Sequence, residues 1–187
     1  DARIPPALAG PTVAVQSTSS ETSIAPAAQE TGRPPVVLQV LPRLEQGGVE
    51  RGTVEVAAAL TQAGWRAVVA SAGGRMVGDI LRAGAEHVEL PLATKNPAGI
   101  LMNVRRLASL IEAENIDIVH ARSRAPAWSA MLAARRTGRH FVTTFHNAYG
   151  AGSWAKRRYN SVMARGERVI AISHFVGAHA AALYGVG

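Results

Sequence analysis

The sequence predicts an α/β fold: a Rossmann-like, mostly parallel sheet of about six strands with helices on both faces, in a single domain. Two observations predict it. From residue 35 onward, short apolar runs rich in β-branched residues alternate with longer amphipathic segments, which is the pattern of strands joined by crossover helices. The length of 187 residues suits one well-packed core and is too short for two full α/β domains.

Strands and helices follow one another in a regular predicted order. Apolar runs place strands at residues 36–41, 66–71, 87–91, 116–120, 141–145 and 169–172. Helical periodicity places helices at residues 49–63, 75–84, 97–114, 126–136, 153–165 and 175–184. Gly64 is the expected stop of the first helix, Asn96 is an expected N-cap, and Pro91 indicates that the third strand lies near an edge of the sheet. We expect both faces of this sheet to be covered.

Residues 1–34 differ in composition from the rest of the chain. They are rich in Ala, Pro, Ser and Thr and contain no aromatic residue. Such a segment cannot bury enough apolar surface to offset the entropy of ordering it. The sequence therefore predicts a disordered leader followed by a folded domain at residues 35–187.

Composition and motifs argue against several classes of protein. The chain has no cysteine, which excludes disulfides and cysteine-bound metals, and no apolar run approaches the ~18 residues of a membrane span. A metal site is not expected, because no carboxylate follows His120 or His146 at the spacing of metal ligands. No Gly-x-Ser-x-Gly motif of a serine hydrolase occurs, and Ser173 is most simply a helix N-cap.

Polar residues and glycines follow the ends of several predicted strands. In an open parallel sheet, ligands bind in the crevice outside the carboxyl ends of the strands. The residues at these ends include Gly47, Gly48, His120, Arg122, His146 and Asn147. The sequence therefore predicts a ligand-binding crevice, although a histidine in such a position is alternatively a hydrogen-bonded structural residue.

The glycine pair after the first strand is a candidate anion site. Glycines let backbone N–H groups approach a ligand closely and adopt positive φ, and the following helix would add its free amides and the positive end of its dipole. The loop matches neither the Walker pattern nor the three-glycine dinucleotide pattern. A purely structural turn is an equal alternative.

Basic residues are concentrated at residues 120–168, where Glu167 is the single acid, and the whole chain has a formal net charge of +7. One predicted helix in this region carries candidate contacts for an anionic membrane surface or a phosphorylated substrate: Trp154, Lys156, Arg157 and Arg158. The alternative is a solvated helix face whose aromatic residues pack on the core, and for the aromatics we favour it. No nucleic-acid-binding motif occurs, so nucleic acid is not an expected partner.

Four segments of the chain, taken together, form a recognisable pattern: residues 38–51, 118–124, 143–147 and 169–173. In this order and spacing they resemble the N-terminal, acceptor-side domain of a family 4 glycosyltransferase of the GT-B fold. The resemblance extends over residues 35–187 and implies transfer of a hexose-type sugar from a nucleotide-sugar co-substrate, with retention of configuration and no cofactor or metal. It also implies a glycan or lipid-linked acceptor, as in lipopolysaccharide and cell-envelope synthesis, and a cytoplasmic enzyme that is peripheral at the inner face of the membrane.

The resemblance also implies roles for individual residues. His146 is the candidate catalytic residue. The loop that would meet the donor phosphates and the acceptor consists of Gly47, Gly48, Glu50 and Arg51. The candidate acceptor-binding residues are His120, Arg122, Arg124 and Asn147.

The donor half of such an enzyme is not recognisable in this sequence. The resemblance implies two glutamates separated by seven residues in a C-terminal donor domain, but no two glutamates here stand eight positions apart. We therefore expect an acceptor domain that is inactive without its donor domain. Two other interpretations remain open: a stand-alone module for anionic lipids or glycans, and a flavodoxin-like or dinucleotide-binding domain.

Overall fold

The computed structural model describes residues 32–150 and 152–186, so residues 1–31 of the predicted leader lie outside the described residues. The strands are β1 (Val36–Val40), β2 (Arg66–Ser71), β3 (Glu86–Glu89), β4 (Ile118–Ala121), β5 (His140–Phe145) and β6 (Arg168–Ala171). The helices are α1 (Gly48–Gln62), α2 (Val77–Arg82), α3 (Pro97–Ala113), α4 (Arg124–Thr137), α5 (Trp154–Asn160) and α6 (His174–Tyr184). A 3₁₀ helix, Ser161–Ala164, follows α5 directly.

The strands form one sheet in the order β3-β2-β1-β4-β5-β6, and every pair of neighbours is parallel. The predicted α/β fold class is confirmed, and β3 lies at an edge as Pro91 indicated. The order reverses at β1, where Gln39 lies opposite Val69 of β2 on one side and His120 of β4 on the other. In doubly wound sheets this reversal opens a crevice at the carboxyl ends of the two central strands.

Helices pack on both faces of the sheet, but they cover the two faces unequally. On one face, Leu38, Val119 and Phe145 belong to a large core that includes residues of α3, α4 and α6. On the other face, a smaller core joins residues of β2, α1 and α2. On this second face His120 of β4 and Thr144 of β5 are buried, but Ile170 of β6 and the following Ile172 are 47% and 57% exposed. The expectation of a fully covered sheet is wrong there.

The helix boundaries follow local hydrogen bonds. Asn96 Oδ1 accepts from the Ala98 N–H at 3.0 Å, and Ser173 Oγ accepts from the Val176 N–H at 3.3 Å, which confirms both predicted N-caps. The helix predicted at residues 153–165 is instead α5 followed by the 3₁₀ helix. None of the described helices has both the length and the apolar character needed to cross a membrane.

The aromatic residue at the start of α5 departs from the prediction. Trp154 is 77% exposed, so the expectation that it packs on the core is wrong. The reason lies in its position, because Trp154 is the first residue of a short helix whose end, rather than its start, meets the core. The buried residues of this region are Asn160 and, in the 3₁₀ helix, Val162 and Met163.

Candidate functional site

A cavity of about 740 Å³ lies at the carboxyl ends of β4 and β5 and runs along the second face of the sheet, beside α1. Its polar lining is Gly48, Arg51, Glu55, His120, Arg122, Thr144, His146 and Asn147. Its apolar lining is Val37, Val49, Val56, Leu60, Trp65, Ile118, Val142, Ile170 and Ile172. The structure therefore brings together most of the residues that the sequence indicated, although they come from three separate segments.

His120 is buried in the floor of this cavity and has a hydrogen-bond partner there. Its Nε2 atom lies 2.7 Å from Thr144 Oγ1 of the neighbouring strand. Burial, reinforced by the positive charge of Arg122 and by His146, lowers the pKa of His120 from 6.5 to about 3. His120 is therefore a neutral side chain at physiological pH, held in place within the sheet.

His146 follows β5 and lines the same cavity. Its Nε2 atom is buried and has no hydrogen-bond partner within the described residues. Burial first, and the charge of Arg122 second, lower the pKa of His146 to about 4. A neutral imidazole can donate or accept a hydrogen bond at Nε2, and His146 is a lining residue of the cavity.

Arg122 supplies the positive charge of the site. Its backbone N–H donates to Val40 O at 2.9 Å, which fixes it at the junction between β1 and β4. The residue is 4% exposed, and burial lowers the pKa of Arg122 to about 10, so the guanidinium stays charged at neutral pH. Its Nε atom has no partner, and no carboxylate in the described part of the chain forms an ion pair with it.

Gly52 belongs to this site and was missed by sequence reasoning. A Cβ atom on Gly52 would lie 2.8 Å from Arg122 Nη2 and 4.0 Å from His146 Cε1. The absence of a side chain on this turn of α1 therefore leaves the space that the guanidinium occupies. No local signal reveals this, because Gly52 and Arg122 meet only when α1 is placed across β4.

The buried polar floor was also missed. Gln39 is fully buried beside His120, and its Nε2 donates to Thr53 O at 3.1 Å. Its Oε1 has no partner among the described residues. The signal was present in the sequence, since Gln39 is the single polar residue within the apolar strand β1.

The glycine loop adopts a different geometry from the one expected. Gly47 has a φ of 169°, which is extended backbone, so the expected positive φ is wrong for this residue. Positive φ occurs instead at Gly73 and Gly74, at 71° and 140°. The Glu50 carboxylate lies 2.6 Å from the position of a Cβ on Gly47. This acid at the start of α1 opposes the binding of an anion by the loop.

Several other candidates lie outside the lining of the cavity. Arg124 is the first residue of α4, and its guanidinium contacts Asn160 Oδ1 at 3.0 Å and the ring of Tyr149 at 4.3 Å. The basic segment is at the surface, where Arg157 donates to Leu183 O at 2.7 Å. The exposed residues of that segment are Trp154, Lys156, Arg157 and Arg158.

The strand order and the crevice beside β1 and β4 define a Rossmann-like α/β domain. The sequence model of Glycosyltransferase Family 4 matches residues 46–187. The chain belongs to glycosyltransferase family 4, as the resemblance in its sequence indicated. This membership argues against the flavodoxin-like and dinucleotide-binding alternatives.

Several solved structures have a domain of similar fold. A glycosyltransferase from Rickettsia africae is 43% identical, with a TM-score of 0.72 over 82% of this chain and 41% of its own. HepE from Anabaena, solved with UDP and glucose, is 18% identical, with a TM-score of 0.65 over 79% and 40%. Sucrose-phosphate synthase from Thermosynechococcus elongatus is 13% identical, with a TM-score of 0.62 over 81% and 45%. The last two show the fold alone.

The chain spans less than half the length of each of these three proteins. No curated protein sequence matches it.

Proposed function

We propose that this chain is the acceptor-binding half of a retaining glycosyltransferase that uses a nucleotide-sugar donor. The observation that carries the proposal is the convergence of His146, Arg122 and the first turns of α1 on one cavity in a family 4 domain. HepE, which shares the fold, was solved with UDP and glucose, and this supports a nucleotide-sugar as the donor. The donor itself is bound mainly by a C-terminal domain.

The chemistry of the cavity suits this reaction. Departure of a nucleoside diphosphate from the sugar builds negative charge on the leaving phosphate, and a fixed cation such as Arg122 stabilises that charge. The neutral Nε2 of His146 positions the acceptor hydroxyl or the sugar by a hydrogen bond. The apolar wall of Val142, Ile170 and Ile172 packs against the C–H faces of a sugar ring or against the apolar part of a lipid-linked acceptor.

Release of nucleoside diphosphate from a panel of nucleotide-sugars tests this function. The assay compares the intact protein from its source cell with the 187-residue chain, using cell-envelope glycans and glycolipids as acceptors. We expect turnover by the intact protein, a loss of at least about 100-fold in the His146→Ala variant, and no turnover by the 187-residue chain. His174→Ala is the matched control, because His174 lies at the exposed start of α6.

Two results would count against the proposal. Turnover by the 187-residue chain would show that a donor domain is not needed. Equal activity of the His146→Ala and His174→Ala variants would remove His146 from the reaction.

A second candidate function is binding to an anionic membrane surface at the inner face of the cell membrane. The observation that favours it is the exposure of Trp154 at 77%, beside the exposed Lys156, Arg157 and Arg158. An exposed tryptophan next to cations suits the headgroup region of an anionic bilayer.

Co-sedimentation with vesicles tests this second function. We expect the chain to bind vesicles that contain phosphatidylserine and not vesicles of phosphatidylcholine alone. Trp154→Ala should weaken binding by about tenfold, whereas Leu81→Ala should not, although Leu81 is also an exposed apolar residue at 57%. Binding that ignores lipid charge would contradict the idea.

A further inference from the structure

The guanidinium of Arg122 has an arrangement that is rare in a folded protein. It is buried, and its Nε atom has no hydrogen-bond partner among the described residues. Buried charges in proteins are normally paired, because the loss of hydration is otherwise uncompensated. The counter-charge of Arg122 must therefore come from outside the described part of the chain or from a side chain that moves.

Among the described acids, Glu55 is the one whose negative charge affects the pKa of Arg122. It raises the pKa of Arg122, against the larger lowering effect of burial. Glu55 is itself exposed on α1 and makes no ion pair with Arg122. The lining of the cavity therefore includes a buried cation and an exposed acid that do not form an ion pair.

A second unpaired group lies beside the guanidinium. The Nε2 atom of His146 is also buried and without a partner among the described residues. Both side chains border the position where Gly52 has no Cβ, at 2.8 Å from Arg122 Nη2 and 4.0 Å from His146 Cε1. The Arg122 guanidinium and the His146 imidazole thus both adjoin Gly52 in the lining of one cavity, and a cation beside a ring that can donate a hydrogen bond is an arrangement that suits an oxyanion.

We propose that Arg122 and the Nε2–H of His146 form a binding site for a phosphate oxyanion within this half of the enzyme. The inference rests on the proposed function and adds to it, because it makes one substrate phosphate a ligand of the acceptor half. That phosphate belongs either to a phosphorylated acceptor or to the diphosphate of the donor. The chemistry is shared, and the two sources are distinguished below by the choice of probe.

The glycine loop is a weaker place for the same group. The Glu50 carboxylate lies close to Gly47 at the start of α1 and would repel a phosphate there. Arg122 has no such neighbour in contact with it. Arg51 also lines this cavity, and its charge adds to the attraction for an anion.

The test is a titration of the 187-residue chain with inorganic phosphate at constant ionic strength, followed by the NMR signals of the His146 and His120 rings. We expect saturable shifts of the His146 signals and a rise in the pKa of His146, since a bound anion stabilises the imidazolium. Arg122→Gln should weaken phosphate binding by at least about tenfold. Arg136→Gln, which removes the same charge from an exposed position on α4, should leave binding unchanged.

Two further variants keep the result unambiguous. Glu55→Gln should strengthen phosphate binding, because it removes the acid at the rim. Arg122→Gln should also raise the pKa values of His120 and His146 without phosphate, which shows that the variant is folded with the site intact. If Arg122→Gln binds phosphate as well as the unaltered chain does, or if no saturable shift occurs, the proposal is wrong.

The source of the phosphate follows from two more probes in the same titration. Tighter binding of sugar phosphates than of UDP would assign the site to the acceptor, and the reverse order would assign it to the donor. No donor domain takes part in this experiment. If phosphate does not bind, the phosphate-site proposal fails and the glycosyltransferase proposal is still tested by the transfer assay. If transfer does not occur, the result of the phosphate titration is unaffected.

Discussion

His120 lies on β4 and His146 directly follows the neighbouring strand β5, and burial keeps both side chains neutral, with different consequences. His120 forms a hydrogen bond with Thr144 and has its pKa lowered to about 3, so it contributes to the stability of the fold. The Nε2 atom of His146 has no hydrogen-bond partner among the described residues, and His146 lines the cavity. The two histidines therefore differ in whether Nε2 has a hydrogen-bond partner within the sheet, and this difference separates a structural role from a role in ligand binding.

The low pKa of His120 predicts acid destabilisation. The unfolded chain binds a proton near pH 6.5 and the folded chain only near pH 3, so stability is complete above pH 6.5 and is lost as the pH falls toward 3. Between pH 7 and pH 4.5 His120 should account for a loss of about 2 kcal/mol. Urea unfolding at both pH values measures it.

The controls for this prediction are two histidine variants. His120→Gln should have a smaller loss of stability between the two pH values, even though its stability at pH 7 is lower. His174→Gln should keep the full loss, since His174 is exposed. An unchanged pH dependence in His120→Gln would contradict the prediction.

Gly52 gives a second prediction at this scale. Gly52→Ala should weaken phosphate binding by about tenfold. The new Cβ would lie only 2.8 Å from Arg122 Nη2, so the guanidinium would have to move out of its present position. The melting temperature should stay level or rise, since alanine is favoured over glycine in a helix by up to about 1 kcal/mol. Calorimetry of phosphate binding and a thermal melt together measure this.

Gly177→Ala is the matched control for Gly52→Ala. It adds a methyl group inside α6, where the nearest atom, Ala171 Cβ, lies at an ordinary contact distance of 3.5 Å. Its stability should change in the same direction, and its phosphate binding should not change. Normal phosphate affinity in Gly52→Ala would show that Gly52 does not shape the site.

Two loops at the carboxyl edge support each other. The Leu44 N–H donates to Gly73 O, and the Met76 N–H donates to Leu44 O, both at 2.8 Å. Gly74, with φ of 140°, lies so close to Leu44 that a Cβ would overlap its carbonyl. The turn after β2 therefore fixes the loop that leads from β1 into α1.

Gly74→Ala should for this reason destabilise the chain by about 3 kcal/mol or more, from backbone strain and overlap together. Gly64→Ala is the control, since its φ of 78° is also positive but an added Cβ meets no described atom within 4 Å. It should cost only about 1 kcal/mol. Equal losses in urea unfolding would show that the contact with Leu44 contributes nothing.

The order and type of the elements could be predicted from the sequence, because each strand is a short apolar run and each helix has a cap or stop of its own. Asn96 and Ser173 are examples, since a cap depends on neighbours within three residues. Gly52 could not be predicted, because its importance depends on a contact with Arg122, far along the chain. The exposure of Ile170 and Ile172 could not be predicted either, since an apolar run looks the same whether one face of the strand is covered or both.

At the scale of the whole molecule, the exposed apolar residues on the second face of the sheet predict hydrophobic association. Ile170 and Ile172 are exposed on the second face of the sheet, in and directly after β6. The 187-residue chain should bind a hydrophobic dye and self-associate on gel filtration, and Ile172→Ser should roughly halve the dye signal. Leu132→Ser, at an exposed residue of α4, is the control and should change little. Dye binding that both variants reduce equally would contradict the assignment.

The strand order also has a consequence for synthesis on the ribosome. The half-sheet β3-β2-β1 is built from residues 36–89, which follow one another closely in the sequence. The other edge of β1 stays unpaired until β4 has been synthesised, because Val37 pairs with Ile118. At ~5–20 residues per second, that delay of about 80 residues lasts on the order of 4 to 16 seconds. Throughout this interval the nascent chain exposes the unpaired edge of its central strand. Molecular chaperones should therefore matter most before β4 emerges from the ribosome.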